Sequence, residues 1–276
     1  MTETYESSGA RLAFHNVGTG LPVVFLHPTP VDHAFWLPGV ERLGGVRAVI
    51  PDLRGHGASE LGASLPVGGF ASVPDAPVLT MERLADDVLT LLDHLGIAQA
   101  VFVGCSIGGY VLLALWRRAP ERVRGLAFVC SKPQPDAEAN LAKRADTIAQ
   151  ARAGKKEALF DGMAQTSIGA TARALRPGIV PELRARMTLT EEALVAVQAG
   201  LAVRPDSRTA VGAIDLPVLA ICGGEDQGIA EAEMRVLEHA PGGCMFHVLP
   251  DAGHFAAYEQ PETVANLLGG WLRQFA

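Results

Sequence analysis

Residues 100–109 read Ala-Val-Phe-Val-Gly-Cys-Ser-Ile-Gly-Gly, and they join an apolar run to a helical run from Tyr110 to Arg118. The pattern G-x-S-x-G, with Ser106 at its centre, therefore falls between a predicted strand and a predicted helix. A serine on such a tight turn needs small neighbours, because the backbone there is strained and crowded. The helix N-terminus beneath the serine favours negative charge that develops beside it. An ordinary glycine turn would give the same letters, but the strand before and the helix after favour a nucleophilic serine.

A serine hydroxyl becomes a strong nucleophile when a base removes its proton and a carboxylate fixes the tautomer of that base. Among the eight histidines, His254 is the best candidate base, because it lies in a loop that follows a strand-like run. The candidate carboxylate is Asp226, which also follows a predicted strand, and its neighbour Glu225 is the alternative. Of the other histidines, His33 is kept as a candidate pocket residue. Surface or half-buried positions are expected for His15, His94 and His239.

The order Ser, Asp, His along the chain is that of one hydrolase fold, and it differs from the chymotrypsin and subtilisin orders. Further motifs occur in order along nearly the whole chain: Leu26-His27, Asp52 to Ser59, Gly104 to Gly108, Pro120 to Val123, Gly223 to Asp226 and Gly253-His254. With these motifs the chain resembles α/β-hydrolase-fold enzymes of the serine esterase, lactonase and haloperoxidase-like group. The resemblance implies that Ser106 is the nucleophile, Asp226 the acid and His254 the base.

The resemblance also implies an oxyanion hole, formed by the backbone N–H after the nucleophile and by one from the loop after the third strand. The first donor is then Ile107. In the second loop, the His-Gly pair usual in the group is replaced by His27-Pro28, which Thr29-Pro30 follows. Since proline has no N–H to donate, Thr29 is expected to be the second donor. His27 is expected to brace the loop and to take no part in catalysis.

Composition narrows the class of protein. A hydrophobic content of 49% over 276 residues is enough for one large core. The net charge of −7 argues against a nucleic-acid partner. The sequence contains no run of 18 apolar residues, so we predict no membrane span. The polar residues 1–6 do not resemble a signal peptide. The four cysteines include no C-x-x-C pair, so we expect free thiols in a cytoplasmic protein.

We expect side chains alone to carry the chemistry, without a cofactor or a metal. No G-x-G-x-x-G follows a predicted strand and no H-x-x-x-H occurs. Cys244 and His247 are close in sequence, but their odd spacing on a predicted strand directs them to opposite faces. Cys105 is expected to point into the core, away from Ser106, and to have no catalytic role.

Short β-rich runs alternate with amphipathic helices along the chain. This alternation predicts an α/β protein with a mostly parallel sheet and helices on both faces, the architecture of the α/β-hydrolase fold. The clearest helix is Met81 to Leu95, whose apolar residues follow the helical period. The predicted strands are Val23 to Leu26, Val46 to Ile50, Ala100 to Val103, Val123 to Val129, Val218 to Ile221 and Met245 to Leu249.

Two segments interrupt the alternation. Residues 60–78 are rich in glycine and proline and are predicted to form a long loop, either surface padding or a lid. Residues 131–215 have helical character without a convincing strand. By resemblance to α/β hydrolases they are expected to form a helical cap, and residues 1–130 and 216–276 the hydrolase core.

The cap is expected to cover the serine and to set which substrates fit. Its apolar face, with Phe255 opposite, is predicted to line the substrate pocket. Trp36 is a further candidate pocket residue, because it resembles the tryptophan that follows the oxyanion loop in several of these groups, but packing of the first helix into the core explains it equally well. Residues 132–208 hold 12 basic and 9 acidic side chains, against 11 and 21 in the rest of the chain. A mildly basic cap would favour anionic substrates, but a solvated helical face explains the same composition. Packing of the cap helices against one another is the alternative for the apolar residues expected in this face, which are Leu159, Phe160, Met163, Ile168 and Met187.

These features predict a serine-dependent carboxylic-ester hydrolase whose partner is a small-molecule ester. The same three residues are compatible with hydrolysis of an enol-lactone, cleavage of a C–C bond in a diketone, or perhydrolysis. Dehalogenase and epoxide hydrolase activities are disfavoured, because those relatives carry Asp where this chain has Ser106. A small-molecule binding protein is the alternative outside enzymes. The oligomeric state stays open, a homodimer included.

Overall fold

The computed structural model describes residues 2–63 and 65–275, and in these residues eight strands form a single sheet. The strands are β1 (Glu3–Ser7), β2 (Ala10–Gly18), β3 (Leu21–Leu26), β4 (Val46–Pro51), β5 (Ala100–Cys105), β6 (Val123–Val129), β7 (Val218–Gly223) and β8 (Cys244–Leu249). In space they follow the order β1-β2-β4-β3-β5-β6-β7-β8. β2 runs antiparallel to both of its neighbours, whereas all pairs from β4 to β8 are parallel. The predicted α/β fold with a mostly parallel sheet is therefore confirmed.

Each of the six predicted strands lies within one of the strands β3 to β8. Strand β5 is buried along its whole length, as expected for a central parallel strand that is covered on both faces. Twelve α-helices, several of them short, accompany the sheet in the described part of the chain. They are α1 (Leu37–Val40), α2 (Met81–His94), α3 (Ile107–Arg118), α4 (Glu138–Arg152), α5 (Lys156–Ser167), α6 (Ala170–Leu175), α7 (Ile179–Arg184), α8 (Glu191–Ala202), α9 (Arg208–Val211), α10 (Glu231–Met234), α11 (Ala256–Glu259) and α12 (Pro261–Leu272).

Helix α2 shows how sequence and packing agree. The Thr80 side chain accepts a hydrogen bond from the backbone N–H of Arg83 at 3.1 Å, which satisfies one of the free donors at the helix start. The apolar residues at helical spacing are buried, and they pack the helix against α3 and β1. The helix ends at His94, one residue before the predicted end.

The segment between β6 and β7 is helical throughout its regular structure. Residues 131–215 contain α4 to α9, and none of these residues, all of which the structure describes, belongs to a strand. Helix α4 packs against α8, and α5 packs against α7. The name cap is used below for residues 131–215, and the division of the chain into core and cap stays a prediction. No helix in the described residues has the length and apolar composition needed to cross a membrane.

The loop at residues 60–78 folds back on itself and onto the cap. The backbone N–H of Val78 donates to the carbonyl of Pro66 at 2.9 Å, and Leu79 donates to Ala196 of α8 at 3.0 Å. At its tip, Asp75 pairs with Arg152 of α4 at 3.2 Å. The loop is therefore attached to helices α4 and α8 of the cap. A lid function stays a prediction.

A buried ion pair ties the strand β1, the loop after β4 and the helix α2 together. Arg54 donates to both carboxylate oxygens of Asp87, at 2.8 and 2.7 Å, and to the carbonyl of Ser7 at 2.8 Å. The Ser7 hydroxyl also donates to Asp87, at 2.7 Å. The two charged side chains are only 3% and 4% exposed. A paired and fully hydrogen-bonded geometry of this kind offsets the cost of removing both charges from water.

We expect Asp87→Asn to destabilise the protein by about 3–5 kcal/mol, because the Arg54 charge would stay buried without its counter-ion. Urea unfolding of wild type and variant measures the difference. Asp86→Asn is the matched control: Asp86 pairs with Arg118 at 2.5 Å, but the side chains are 37% and 43% exposed. Breaking that exposed pair should cost about 0–1 kcal/mol. Equal losses in the two variants would contradict this account of the ion pair.

Candidate active site

Ser106 lies on a sharp turn between β5 and α3. Its φ of 51° and ψ of −114° are strained for a residue with a side chain. The turn requires glycine on both sides: a Cβ on Gly104 would lie 2.5 Å from the carbonyl carbon of Gly108, and a Cβ on Gly108 would lie 2.4 Å from the carbonyl oxygen of Leu26. The spacing G-x-S-x-G therefore reflects backbone contacts that leave no room for a side chain.

Ser106, His254 and Asp226 form one hydrogen-bonded chain. The Nδ1 atom of His254 lies 2.8 Å from the Oδ2 atom of Asp226, and Nε2 lies 2.9 Å from the Oγ atom of Ser106. Because a carboxylate only accepts, Nδ1 carries the proton and Nε2 is free to accept from the serine hydroxyl. The structure thus brings together the three residues selected from the sequence, in the tautomer that a general base requires.

The electrostatic environment supports a basic imidazole. Burial alone would lower the pKa of His254, but the charge and the hydrogen bond of Asp226 raise it above the ordinary value. For Asp226, burial alone would raise the pKa. The His254 ring and the backbone N–H groups of Gly228 and Ile229 hold it below its usual range. Asp226 therefore stays ionised and stabilises positive charge on the ring.

Glu225, the alternative to Asp226, faces the cap instead of the histidine. Its carboxylate accepts from the backbone N–H of Thr171 at 2.9 Å and from the Thr171 hydroxyl at 2.6 Å. A second carboxylate, Glu259, accepts from the backbone N–H groups of Gly169 and Gly253, both at 2.9 Å. Glu259 thus attaches the turn before α6 to the loop that carries His254, and Glu225 attaches the start of α6 to the loop after β7. Glu259 was not identified from the sequence, because it lies in an ordinary helical run.

Two backbone amides next to the serine are free to hold an anion. Ile107 is the first residue of α3, so its N–H has no partner within the helix. In residues 2–63 and 65–275, neither the Ile107 N–H nor the Thr29 N–H donates a hydrogen bond. Thr29 lines the same pocket as Ser106 and His254. These are the amides that the resemblance implies as oxyanion donors, and that role stays a prediction.

Two buried histidines hold the Thr29 loop in place. Nε2 of His27 accepts from the backbone N–H of Leu53 at 2.9 Å, so Nδ1 carries the proton and donates to the Pro28 carbonyl at 2.9 Å. Nδ1 of His56 donates to the carbonyl of Arg54 at 3.0 Å, and Nε2 accepts from the Thr29 hydroxyl at 3.0 Å.

Burial lowers the pKa of His27 to about 4 and that of His56 to about 3. Both rings are therefore neutral at physiological pH, and they act as fixed donors and acceptors. His27 braces the loop as expected. The role of His56 was missed, although the histidine between two glycines at 55–57 is a signal for a side chain that reaches into a neighbouring loop.

The pocket above Ser106 has a volume of about 340 Å³, and most of the residues that line it are polar. Of the apolar cap residues predicted to line it, Met163 does so. Phe160, Ile168 and Met187 are buried inside the cap, because the same helical spacing also serves the cap's own core. The lining residues are Thr29, Ser106, Tyr110, Lys132, Asp136, Asn140, Lys143, Arg144, Thr147, Met163, Ser167, Gln198, Leu201, Gln227, Gly228, Ile229 and His254.

Trp36 and Phe255, the two predicted pocket residues outside the cap, lie in the hydrophobic core. Both pack edge-on against Phe35, at ring-centroid distances of 5.2 and 5.3 Å, and neither is part of the pocket wall. Their large apolar surface is better buried against other aromatic rings than exposed in a polar pocket. His33 is not part of the wall either: its Nδ1 lies 2.7 Å from an oxygen of Asp52. These three pocket predictions are corrected accordingly.

Cys105, the neighbour of Ser106, is not suited to act as a nucleophile. The side chain of Cys105 is fully buried, and burial raises the pKa of its thiol well above the ordinary value. A thiol without access to solvent and without thiolate character is a poor nucleophile. No group of three or more His, Cys, Asp or Glu side chains is arranged to hold a metal within the described ranges 2–63 and 65–275.

The chain is similar to several known proteins over nearly its whole length. The chain is 29% identical over 255 residues to a 2-succinyl-6-hydroxy-2,4-cyclohexadiene-1-carboxylate synthase of Salmonella paratyphi B, covering 91% of this chain and 93% of that protein. It is similar to an esterase from Thermogutta terrifontis, with a TM-score of 0.88, 30% identity, and 99% and 98% of the two chains covered.

It is also similar to the enol-lactonase from Burkholderia xenovorans LB400, with a TM-score of 0.85, 25% identity, and 98% and 100% of the two chains covered. The family model of the α/β hydrolase fold matches residues 22–261, which is most of the chain. The resemblance read from the motifs is therefore confirmed, and the chain belongs to the α/β-hydrolase fold family.

Proposed function

We propose that the protein hydrolyses carboxylic esters of small to medium size through an acyl-enzyme on Ser106. The observation that carries the proposal is the chain of two hydrogen bonds, 2.9 Å from Ser106 to His254 and 2.8 Å from His254 to Asp226. The similarity to an esterase at 30% identity supports it. Chemistry of this kind needs no cofactor, since the side chains supply the nucleophile, the base and the charge stabilisation.

In the first half of the reaction, Ser106 Oγ attacks the ester carbonyl carbon while Nε2 of His254 takes the hydroxyl proton. The carbonyl oxygen becomes an oxyanion, and the free N–H groups of Ile107 and Thr29 stabilise it. The imidazolium that forms is stabilised by the ionised Asp226. It then gives its proton to the alkoxide oxygen as the C–O bond breaks, and the alcohol leaves.

In the second half, His254 removes a proton from a water molecule, whose oxygen attacks the acyl carbon. The same two amides hold the second oxyanion. When this intermediate collapses, the imidazolium returns the proton to Ser106 Oγ and the carboxylic acid leaves. In each half, Nε2 of His254 therefore passes the proton of the nucleophile to the leaving group.

Hydrolysis of an enol-lactone is the second candidate, favoured by the similarity to an enol-lactonase at 25% identity. The attack on the acyl carbon is the same, and only the leaving group, an enolate within the same molecule, differs. C–C cleavage, perhydrolysis and a binding role without turnover are alternatives on the same residues. Turnover of a panel of p-nitrophenyl esters separates an enzyme from a binding protein.

We expect Ser106→Ala to lower ester turnover below about one per cent of wild type, because losing a triad nucleophile usually costs several orders of magnitude. A fluorophosphonate should label wild type once, at Ser106, as measured by mass spectrometry. Cys105→Ala is the control, since it removes the neighbouring thiol and leaves the hydroxyl. Retained activity in Ser106→Ala, or its loss only in Cys105→Ala, would rule out the nucleophile.

We expect Asp226→Asn to lower kcat by about 10⁴-fold, because an amide no longer selects the Nδ1–H tautomer or stabilises the imidazolium. Glu225→Gln is the matched neighbouring change. It weakens contacts with the start of α6, chiefly with Thr171, and should change kcat by less than a few-fold. Steady-state kinetics on one ester measure both effects, and the reverse ranking would assign the acid to Glu225.

The pH dependence of kcat/KM should report the pKa of His254 in the free enzyme. Asp226 raises this pKa above the ordinary 6.5, so activity should be lost as the pH falls through a midpoint above that value. In Asp226→Asn the imidazole loses its counter-ion, its pKa falls, and the acid limb of the residual activity should move to lower pH. A limb that stays in place in this variant would mean that another group titrates.

We expect acetate and butyrate esters to be cleaved with higher kcat/KM than octanoate and palmitate esters. The pocket volume of about 340 Å³ lies near the lower end of the usual range for ligand sites, roughly 300–1,000 Å³. Kinetics on the four p-nitrophenyl esters measure the trend. A maximum at palmitate, with activation at a lipid interface, would indicate a lipase.

A further inference from the structure

The wall of the pocket that the cap contributes carries unequal numbers of charges. Among the residues that line it, Lys132, Lys143 and Arg144 are basic, and Asp136 is the one acidic residue within the part of the chain that the structure describes. Whether this excess is available to a ligand depends on how each cation is paired.

Asp136 is shared by two guanidinium groups. Arg144 Nε donates to one carboxylate oxygen, and Arg204 Nη2 donates to the other at 2.8 Å. Burial alone would raise the pKa of Asp136, but the hydrogen bonds from Arg204 and Arg144 hold it below its usual range. The other hydrogen bonds of Arg204 go to the neutral carbonyls of Leu201 and Gln134. The single negative charge of Asp136 therefore balances only one of the two guanidinium charges, and a net charge of one positive unit remains on this group of three side chains.

The two lysines that line the pocket differ in whether a carboxylate pairs with them. Lys132 is buried and pairs with Glu233 at 2.5 Å, so its charge is neutralised. Lys143 is exposed on α4, and across residues 2–63 and 65–275 no carboxylate lies within ion-pair distance of it. The ammonium group of Lys143 is thus a second positive charge at the pocket.

The two cations Lys143 and Arg144 lie on one face of helix α4. Asn140, Lys143, Arg144 and Thr147 are spaced three, four and seven residues along α4, which places them side by side, and all four line the pocket. Ser106 and His254 line it from the core. The pocket therefore has a reacting side on the core and a cationic side on the cap.

A neutral donor accompanies the cations. The Oε1 atom of Gln198 accepts from Arg144 Nη1 at 2.9 Å, so the side-chain oxygen of Gln198 is occupied and its NH₂ group is left to donate. The nearby carboxylate of Asp226 already has partners for both oxygens. Oδ2 accepts from His254, and Oδ1 accepts from the N–H groups of Gly228 and Ile229. When the negative charge of Asp226 is set against the charge of Lys143 and the net charge of Arg144, Arg204 and Asp136, these groups still carry a net positive charge.

We infer that the ester substrate carries a carboxylate, which Lys143 and Arg144 bind while the ester carbonyl lies at Ser106. One or two unpaired positive charges with an amide donor match a single carboxylate better than a polyanion. The substrate class is then the half-ester of a small dicarboxylic acid, or a hydroxy acid that is acylated on its hydroxyl group and keeps a free carboxylate. This inference rests on the ester hydrolase proposed above and adds which esters it prefers.

The first test compares esters that differ only in the charged end. Monoethyl glutarate is compared with its amide analogue, ethyl 5-amino-5-oxopentanoate, in a pH-stat assay. A second pair, 3-acetoxypropanoate and 3-acetoxypropanamide, moves the charge to the alcohol side. We expect the anion of at least one pair to have a kcat/KM roughly 10-fold higher, as for one charge-assisted contact, and salt to reduce the difference. Equal or faster hydrolysis of both amides would overturn the inference.

The second test removes the Lys143 charge. Lys143→Gln should lower kcat/KM for the preferred anion roughly 10-fold and leave the matching amide within about twofold. Lys155→Gln is the control: Lys155 is exposed just before α5 and does not line the pocket. The same loss in Lys155→Gln would point to the overall field of the protein and would contradict a site at Lys143.

A binding measurement separates failure of this inference from failure of the proposed function. Glutarate is titrated into Ser106→Ala by calorimetry, with and without Lys143→Gln, and no turnover is needed. Binding that Lys143→Gln weakens supports the carboxylate site even if no ester is cleaved, in which case the hydrolase proposal alone fails. Ester turnover without glutarate binding and without preference for the anions leaves the hydrolase standing and overturns the carboxylate site.

Discussion

The packing of the start of α3 against the end of β3 is the contact on which the rest of the site depends. A Cβ on Gly108 would lie 2.4 Å from the Leu26 carbonyl oxygen, so no larger residue fits there without moving helix and strand apart. Leu26 leads into the loop that carries Thr29, and Gly108 directly follows Ile107. This contact therefore holds the loop that carries Thr29 beside the start of α3, where Ser106 and the free N–H of Ile107 lie. The hydrogen bond from Thr29 to His56 then holds the loop from its other side. Preorganised donors of this kind need no rearrangement when an oxyanion forms.

Two neighbouring carboxylates after β7, Glu225 and Asp226, bind different partners. Together they connect the loop after β7 to His254 and to the cap. Asp226 turns towards His254, whereas Glu225 turns towards Thr171 in the cap. Glu259 makes the corresponding link from the histidine loop to Gly169. His254 and the turn before α6 are thus attached to the same short loops. A displacement of the turn before α6 would move the loops that hold His254 and Asp226, so pocket shape and general-base geometry are coupled by direct hydrogen bonds.

The sequence predicted the fold and the hydrogen-bonded triad because both depend on local patterns. The strand-turn-helix context selects Ser106, and loops after consecutive parallel strands meet at one edge of the sheet, which brings Asp226 and His254 to it. The pocket wall was predicted less well. Helical spacing identifies apolar residues such as Phe160, but it does not reveal whether they face the pocket or the interior of the cap. The part played by His56 depends on a contact between two loops that are distant in sequence, which a periodic pattern does not report.

The charge of the whole protein and the charge of its pocket have opposite signs, and distance decides which one a substrate experiences. The net charge is −7, but screening at physiological ionic strength reduces interactions beyond about 8 Å. Inside the pocket the nearest groups dominate. Basic residues of the cap also differ in their surroundings: Arg152, Arg184 and Arg208 pair with carboxylates away from the pocket, whereas Lys143 and Arg144 face it. A solvated helical face thus explains only part of the cap's basic composition, and the rest is concentrated where a bound anion would lie.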